Sequence, residues 1–406
     1  MKKIYLRASI FILLFSSLLQ AIDPAKSHNP LLVVTLMIRN EALVIKETLQ
    51  PFVDAGIKDF LIFEAGESTD DTIAVTKKFF EDHQIKNAVI KQGPFIDFAT
   101  SRNQALELTE EAFPNAGFIL MPDAEWHLHN GKELLQFCAQ HRHDTHNVYL
   151  MRTMGANLDF CTPRLIRCQA NVRFVGVVHE VPNYYTQEKV PPNIFFELCT
   201  TRYGQEKSRQ RWTRDRDLLL KEHMRVPHDP RPVFYLAQTY ACLGDWENAK
   251  HWYMLRTKMP GWDEETFIAH YKLAQVYEAL GKWHEALEEY LKAHALRPQR
   301  AEPLVCLANH YWNSGDKASC FLFAQRAAQL PYPDKDLLFI EKDAYNFTRF
   351  DLLGRAAWYV GEYDCGETAI NQALEVCPNA EYLNSNLGWY KQHKLALSKE
   401  PEGKTM

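Results

Sequence analysis

Between Leu31 and about Leu198, short apolar and β-prone runs alternate with amphipathic stretches. Leu31 to Ile38, Phe60 to Phe63, Ala88 to Lys91, Phe118 to Met121 and Val148 to Arg152 are predicted strands, while Glu41 to Asp54 and Asp70 to His83 carry apolar residues at helical spacing. This alternation predicts an α/β domain with a mostly parallel sheet and helices on both faces. A less regular piece follows, Phe160 to Leu198, with β-prone runs at Val172 to Val178 and Asn193 to Leu198.

From Phe234 onward the apolar pattern changes to paired helices. Leu236-Ala237, Tyr240, Leu243-Gly244-Asp245-Trp246 and Ala249 are echoed by Leu273-Ala274, Tyr277, Leu280-Gly281-Lys282-Trp283 and Ala286. Gly244, Gly281, Gly315 and Gly361 stand 37, 34 and 46 residues apart, the last interval lengthened by an insertion around Tyr332 to Phe350. Such a period, with small residues at the helix crossing, glycine at the turn and Pro298, Pro331 and Pro378 closing units, is the tetratricopeptide pattern. Three or four units bury a continuous core, and Tyr382 to Leu397 reads as a capping helix. The recurring Tyr240, Trp246, Tyr277 and Trp283 read as core and turn packing. Between the halves, Gln205 to Met224 reads as a charged helix ended by Pro227 and Pro230, with its basic side chains on a solvated face.

A chain of 406 residues suits two domains, and 46% hydrophobic residues supply their cores. The net charge of −5 gives no electrostatic basis for nucleic acid or an anionic membrane as the main partner. Lys2, Lys3 and Arg7 precede an uncharged run from Ala8 to Ile22, and Leu19-Gln20-Ala21 suits a signal peptidase. The run is short for a membrane span. Residues 1–22 are therefore expected to be a signal peptide or anchor, making the protein exported or membrane-tethered. A cytoplasmic protein is the alternative, because the 9 cysteines are scattered without a C-x-x-C pair and read as reduced thiols.

The candidate chemistry begins at Asp123 and Glu125. In an extended segment positions i and i+2 point the same way, and two carboxylates held that close favour a shared proton or a hard divalent cation. The same spacing recurs at Asp215/Asp217, Asp334/Asp336, Glu341/Asp343 and Glu362/Asp364, which read as chance surface carboxylates. Position after an apolar strand sets Asp123/Glu125 apart, since ligands gather beyond the carboxyl ends of strands in an open α/β sheet. Strand Leu31 to Ile38 runs into Arg39-Asn40-Glu41, where backbone N–H groups at a helix start would be free to meet a nucleotide. Strand Phe60 to Phe63 ends in Glu64 and a glycine turn, with Ser68 or Asp70 as the next helix cap. Arg102 suits a diphosphate or base contact, a helix-surface salt bridge being the other reading.

The set Met37-Ile-Arg-Asn-Glu41, Ser68-Thr-Asp-Asp-Thr72, Phe98-Ala-Thr-Ser-Arg-Asn103, Asp123-Ala-Glu125, Pro163-Arg-Leu-Ile-Arg167 and Phe174-Val-Gly-Val-Val-His-Glu180 resembles a family 2 glycosyltransferase. More narrowly it resembles the group in which that domain precedes tetratricopeptide repeats, which also carries stretches similar to Gly261-Trp-Asp-Glu-Glu265 and Arg300-Ala-Glu-Pro303. The resemblance implies an α/β fold of the GT-A type, Rossmann-like with a mostly parallel sheet, over residues 28–200. A linker helix over 201–230 and an all-α tetratricopeptide solenoid over 231–397 follow. It implies an inverting, metal-dependent transfer of a sugar from a nucleotide-sugar donor, a UDP-sugar before others, to a protein, peptide or glycan acceptor bound through the repeats. Deleting the repeats should then harm acceptor recognition more than donor hydrolysis.

Carried over residue by residue, Arg39, Glu41, Glu64, Arg102 and Asp123 fall on the nucleotide-sugar site. Asp123, Glu125 and His179 fall on the ligands of Mn²⁺ or Mg²⁺, and Glu180 on the general base. Glu64 stands where the family more often has Asp, the turn between Gly66 and Ser68 differs by one residue, and Asp-Ala-Glu-Trp126 replaces Asp-Ala-Asp-Glu. The alternative is a non-catalytic repeat scaffold with a degenerate glycosyltransferase domain.

Overall fold

The computed structural model describes residues 28–199 and 202–398. Its first half carries β1 (Leu32–Ile38), α1 (Ile45–Asp54), β2 (Asp59–Ala65), α2 (Thr72–Asp82), β3 (Asn87–Gly93), α3 (Phe98–Ala112) and β4 (Phe118–Leu120). It continues through β5 (Trp126–His129), α4 (Gly131–Gln140), β6 (Val148–Met154), β7 (Leu158–Arg167), β8 (Phe174–Val175), β9 (Val181–Pro182) and β10 (Phe195–Leu198). The long helix α5 (Arg202–Arg225) leads to α6 (Pro230–Leu243), α7 (Trp246–Arg256), α8 (Asp263–Ala279), α9 (Trp283–Leu296), α10 (Glu302–Ser314) and α11 (Lys317–Ala328). A short strand β11 (Ile340–Glu341) precedes α12 (Arg349–Val360), α13 (Tyr363–Val376) and α14 (Glu381–Leu397).

The sheet order is β3-β2-β1-β4-β7-β6-β10-β5. β3, β2, β1 and β4 run parallel, as alternation with helices requires. The mostly parallel sheet expected from the sequence is nevertheless corrected to a mixed one. β7 lies antiparallel to both β4 and β6, and β10 lies antiparallel to β5. The connection from β6 to β7 is too short for a crossover, so those strands must form a hairpin.

Strand alternation divides the sheet's two cores. On one face Leu32, Val34, Leu36 and Ile38 pack with Ile45, Leu49 and Phe52 of α1, Phe79 and Phe80 of α2, and Leu134 and Phe137 of α4. On the other, Val33, Leu61 and Phe63 pack with Ala99, Ala105 and Leu106 of α3. Thr35, buried on that second face, pairs its hydroxyl with Thr109 of α3 at 2.8 Å.

In the second half, helical hairpins α6–α7, α8–α9, α10–α11 and α12–α13 stack in sequence and α14 packs on α13. Gly244, Gly281, Gly315 and Gly361 all adopt the left-handed conformation, with φ of 79°, 71°, 92° and 80°, which residues with a Cβ enter at a cost. Asp245 and Asp316 then cap α7 and α11 by accepting from Asn248 N and Ser319 N.

The insertion within the repeats is a strap that ties them to the sheet. Ile340 of β11 stands opposite Asp159 of β7, Cys161 N donates to Leu337 O at 3.0 Å, and Lys342 N donates to Asn157 O at 2.8 Å. On the repeat side Glu264 accepts from Leu337 N and Leu338 N, and buried Arg300 binds Glu302 and Asp336. Asp336, expected to be a surface carboxylate, is therefore a buried anchor. A second junction lies at Val178, which is buried with Leu219, Phe234 and Tyr235 in the core of the first repeats.

The expected export or membrane tether is also corrected. Among the described residues no helix is long and apolar enough to cross a membrane, and residues 1–22, which would carry the signal or anchor, lie outside the described residues.

Candidate active site

Four charged side chains from four elements form one buried network. Arg102 projects from the first turns of α3, Asp123 follows β4, Arg164 lies on β7, and Glu180 follows the β8 hairpin strand. Arg102 Nη2 donates to Asp123 Oδ1 at 2.6 Å, and its Nε to Glu180 Oε1 at 2.5 Å. Arg164 Nη2 donates to Asp123 Oδ2 at 3.0 Å, and its Nη1 to Glu180 Oε1 at 3.2 Å. Side-chain exposure is 2% for Arg102, 5% for Glu180 and 10% for Arg164, but 39% for Asp123, so the network meets solvent at Asp123. Arg102 Nη1 and Arg164 Nε are buried without a hydrogen-bond partner.

The electrostatics follow from this arrangement. Burial opposes ionisation of Asp123, but the guanidiniums of Arg164 and Arg102 outweigh it and hold the carboxyl down to about 2. Burial opposes the charge of Arg102 too, and Glu180 and Asp123 overcome it, so its proton is held above the ordinary arginine value. Glu180 is buried, and Arg102 and Arg164 keep its acidity above that of an ordinary glutamic acid. A carboxylate so stabilised as the anion is a weaker proton acceptor, which argues against Glu180 as general base.

The end of β4 is not extended as the sequence argument requires. Trp126 N donates to Asp123 O in a turn, and Glu125 adopts a left-handed φ of 69°. Asp123 and Glu125 therefore do not share one side of an extended strand. Glu125 N donates to Thr48 Oγ1, and its carboxylate stands close enough to Cys199 to act on that thiol. His179, also left-handed at φ 52°, stacks on Tyr235 of α6 with ring centroids 4.0 Å apart, and Arg231 holds its carbonyl. Packing around the ring and the nearby Arg231, Arg211 and Arg164 disfavour its protonation, against the pull of Glu180. Because His179 also keeps an exposed side, water moderates these effects.

As placed, these residues do not fit an ion. Both Asp123 oxygens are taken by guanidiniums, and among the described residues no three His, Cys, Asp or Glu side chains gather closely enough to share a metal. No Mn²⁺ or Mg²⁺ step is derived from them.

The loop after β1 is also more closed than expected. Asn40 N donates to Ser68 Oγ, Glu41 N to Thr72 Oγ1 and Ala42 N to Asp70 Oδ2. Those N–H groups thus knit two loops together rather than standing open to a nucleotide. Ser68 serves this stitch instead of capping α2, and Glu64 accepts from Ser68 N at 2.9 Å. Arg39 and Glu64 still lie beside each other's loops at the carboxyl ends of β1 and β2, with Arg39 carbons 3.6 Å from where a Cβ on Gly66 would sit. An open cavity of about 310 Å³ lined by Asp97, Thr100, Gly176, Glu222 and Arg225 lies to one side and includes none of the four network residues.

Arg164, within Pro163-Arg-Leu-Ile-Arg167, has no role legible in the sequence, and the antiparallel pairing of β7 with β4 brings it to Asp123. Asp215 of α5, expected to be a chance surface carboxylate, is buried.

The tetratricopeptide-repeat family model matches residues 267–300, which cover most of α8 and α9. The chain is 26% identical over 235 residues to the SPbeta prophage-derived glycosyltransferase SunS of Bacillus subtilis (strain 168), covering 55% of this chain and 52% of that protein. The same figures hold for glycosyltransferase SunS of Bacillus phage SPbeta. The chain thus spans about half the length of the curated relatives it matches. Among solved structures, the C-terminal part of a tetratricopeptide-repeat protein from Cytophaga hutchinsonii is 14% identical, covers 48% of this chain and 70% of its own, and has a TM-score of 0.37. YrrB, described as a tetratricopeptide protein with an unusual peptide-binding site, is 16% identical, with 43% and 83% covered and a TM-score of 0.35.

Proposed function

We propose that the chain is an inverting glycosyltransferase that takes a sugar from a nucleotide-sugar donor, with the repeats holding a protein, peptide or glycan acceptor. The observation that carries this reading is the position of Asp123. It is the solvent-facing member of a buried ionic network at the carboxyl end of β4, beside Arg39 and Glu64 at the ends of β1 and β2. The partial likeness to a named glycosyltransferase supports the same class.

In the proposed reaction the acceptor heteroatom attacks the anomeric carbon from the face opposite the nucleoside diphosphate. The bond from that carbon to the diphosphate oxygen breaks, and its electron pair leaves with the diphosphate. The heteroatom's proton passes to solvent. Arg102 and Arg164 fix Asp123 in place. Only Thr162 and Pro163 of β7 lie between Arg164, whose carbonyl accepts from Met121 N, and Cys161, whose N donates to Leu337 O of the strap of the repeats. An acceptor held by the repeats would therefore reach the site along β7.

The test is to incubate the full chain with a panel of nucleotide sugars, with Mn²⁺ and Mg²⁺ supplied, and to measure nucleoside diphosphate release. Release from one donor, lost in Asp123→Asn, is the expected result. No release from any donor, with the protein folded, would remove the reading.

A further inference from the structure

Helix α5 does not present its basic residues to solvent alone. Arg211, Asp215 and Leu219 recur every four residues and so share one face. Leu219 is buried in the core of the first repeats, and Asp215 is 4% exposed. Arg214 lies across two aromatic rings of the α3 approach, its guanidinium carbon 4.6 Å from the Phe95 centroid and 5.5 Å from that of Phe98. Such stacking holds the planar fork in one orientation. Its Nε faces Asp215 Oδ1 at 4.0 Å, too far for a hydrogen bond, and neither atom has a hydrogen-bond partner.

Phe95 and Phe98 follow β3, so Arg214 lies at the carboxyl edge of the parallel strands, and Arg211, three residues earlier on α5, is its neighbour on the helix surface. Burial, and then Arg39 and Arg211 against the pull of Asp215, leave Arg214 less firmly protonated than usual, which places both arginines within electrostatic reach of it. Arg211, on the exposed side, is also near enough to act on Asp123 and His179. Arg39 follows β1 and Asp123 follows β4, so both stand at the same carboxyl edge as Phe95 and Phe98, where the donor is expected. The neighbouring Asp215 supplies a single carboxylate to this pair of guanidiniums, and its Oδ1 makes no hydrogen bond to either. Two guanidiniums against one carboxylate leave a net positive charge that an anion would offset.

We propose that Arg211 and Arg214 of α5 bind the diphosphate group of a nucleoside diphosphate, closing the site from the helix that joins the two halves. The nucleoside rests on the glycosyltransferase reading, while the diphosphate rests on the arginine cluster. Guanidinium forks match phosphate oxygens in pairs, and Arg214 is already flattened and oriented for that contact.

Calorimetry on the full chain tests this with UDP, GDP, uridine and inorganic pyrophosphate. The variants are Arg211→Gln, Arg214→Gln and, as a control on the same helix, Arg216→Gln, whose side chain pairs with Asp217. UDP or GDP should bind and uridine should not. Arg211→Gln and Arg214→Gln should each weaken the nucleotide about tenfold or more, and Arg216→Gln should leave it unchanged. Arg211 is exposed, so its variant keeps the fold and decides the matter even if Arg214→Gln does not fold. Unchanged nucleotide affinity in Arg211→Gln would overturn the proposal and leave the glycosyltransferase reading standing. Pyrophosphate binding that both variants weaken, with no nucleotide binding, would keep the diphosphate site and end that reading. No binding of any probe would overturn the proposal.

Discussion

Arg102 and Arg164 approach Asp123 from opposite sides, at 2.6 Å on Oδ1 and 3.0 Å on Oδ2, and the same two arginines meet again on Glu180 Oε1. Each carboxylate thus depends on both cations. Removing one buried member of such a set leaves an uncompensated charge, with a typical cost of about 3–5 kcal/mol. Arg102→Ala is expected to lose stability in that range by denaturant unfolding, and Asp123→Asn less, because Asp123 keeps 39% of its side chain exposed. Equal stability of Arg102→Ala and the natural chain would show that the network does not operate as a unit.

Glu180 yields a separate expectation. Its carboxylate is held in the ionised form by Arg102 and Arg164 against burial, so it remains charged well into acid. Glu180→Gln should therefore lower stability and loosen Asp123 without removing a pH limb of the transfer rate near neutrality. Full rate at high pH in Glu180→Gln, with only the limb displaced, would restore it as the proton acceptor.

Much of this architecture is legible in the sequence because it follows periodicity. The strands at Leu32–Ile38, Asp59–Ala65 and Asn87–Gly93 and the helical hairpins are set by local apolar spacing. The site is less legible because its contacts are long-range. Arg102 and Glu180 are 78 residues apart, and Arg164 and Asp123 are 41 apart. Asp123 and Glu125 mislead because a turn with a left-handed Glu125 replaces the extended chain assumed for them. Asp215 and Asp336 look like any surface aspartate until α5 and the strap fold over them.

The repeats are not a detachable module. Val178, two residues from Glu180, is buried in the core of the first repeats, and His179 stacks on Tyr235 of α6. A chain ending before α6 would strip both contacts from the segment carrying Glu180. Contrary to the expectation drawn from sequence, donor hydrolysis should fall along with acceptor transfer. Hydrogen exchange over 176–180 should rise in the truncated chain, and unchanged protection there together with retained donor hydrolysis would contradict this.

The strap should behave as one cooperative piece with the repeats. Arg300 is fully buried, bonded to both Glu302 and Asp336, and gives further hydrogen bonds to Leu338 O and Phe339 O. Arg300→Met should cost about 3–5 kcal/mol, because buried Glu302 loses its cation, while Asp336 keeps Arg297. Exchange at Leu337 and Leu338 should quicken together with that at Cys161 of β7, which donates to Leu337 O. Faster exchange in the strap alone would mean that the repeats hold to the sheet by other contacts.

Asp215 supplies the last prediction, and its sign is opposite to that of Asp123. Burial raises the folded-state value to about 6 from 3.8, with Glu180 acting in the same direction and Arg214 and Arg211 opposing. Between those values the folded chain binds the proton more tightly than the unfolded chain does, so this residue's contribution is best below 3.8 and declines as pH rises towards 6. Above pH 6 the ionised carboxylate costs the free protein, by about 3 kcal/mol at most for a rise from 3.8 to about 6. Asp215→Asn removes that charge while keeping the shape. It should match or exceed the natural chain in stability at pH 8, and the difference should shrink as pH falls to 4.5. Denaturant midpoints at the two pH values measure it, and an Asn variant that is less stable at pH 8 than at 4.5, relative to the natural chain, would show that the arginines stabilise ionised Asp215 more than burial opposes it.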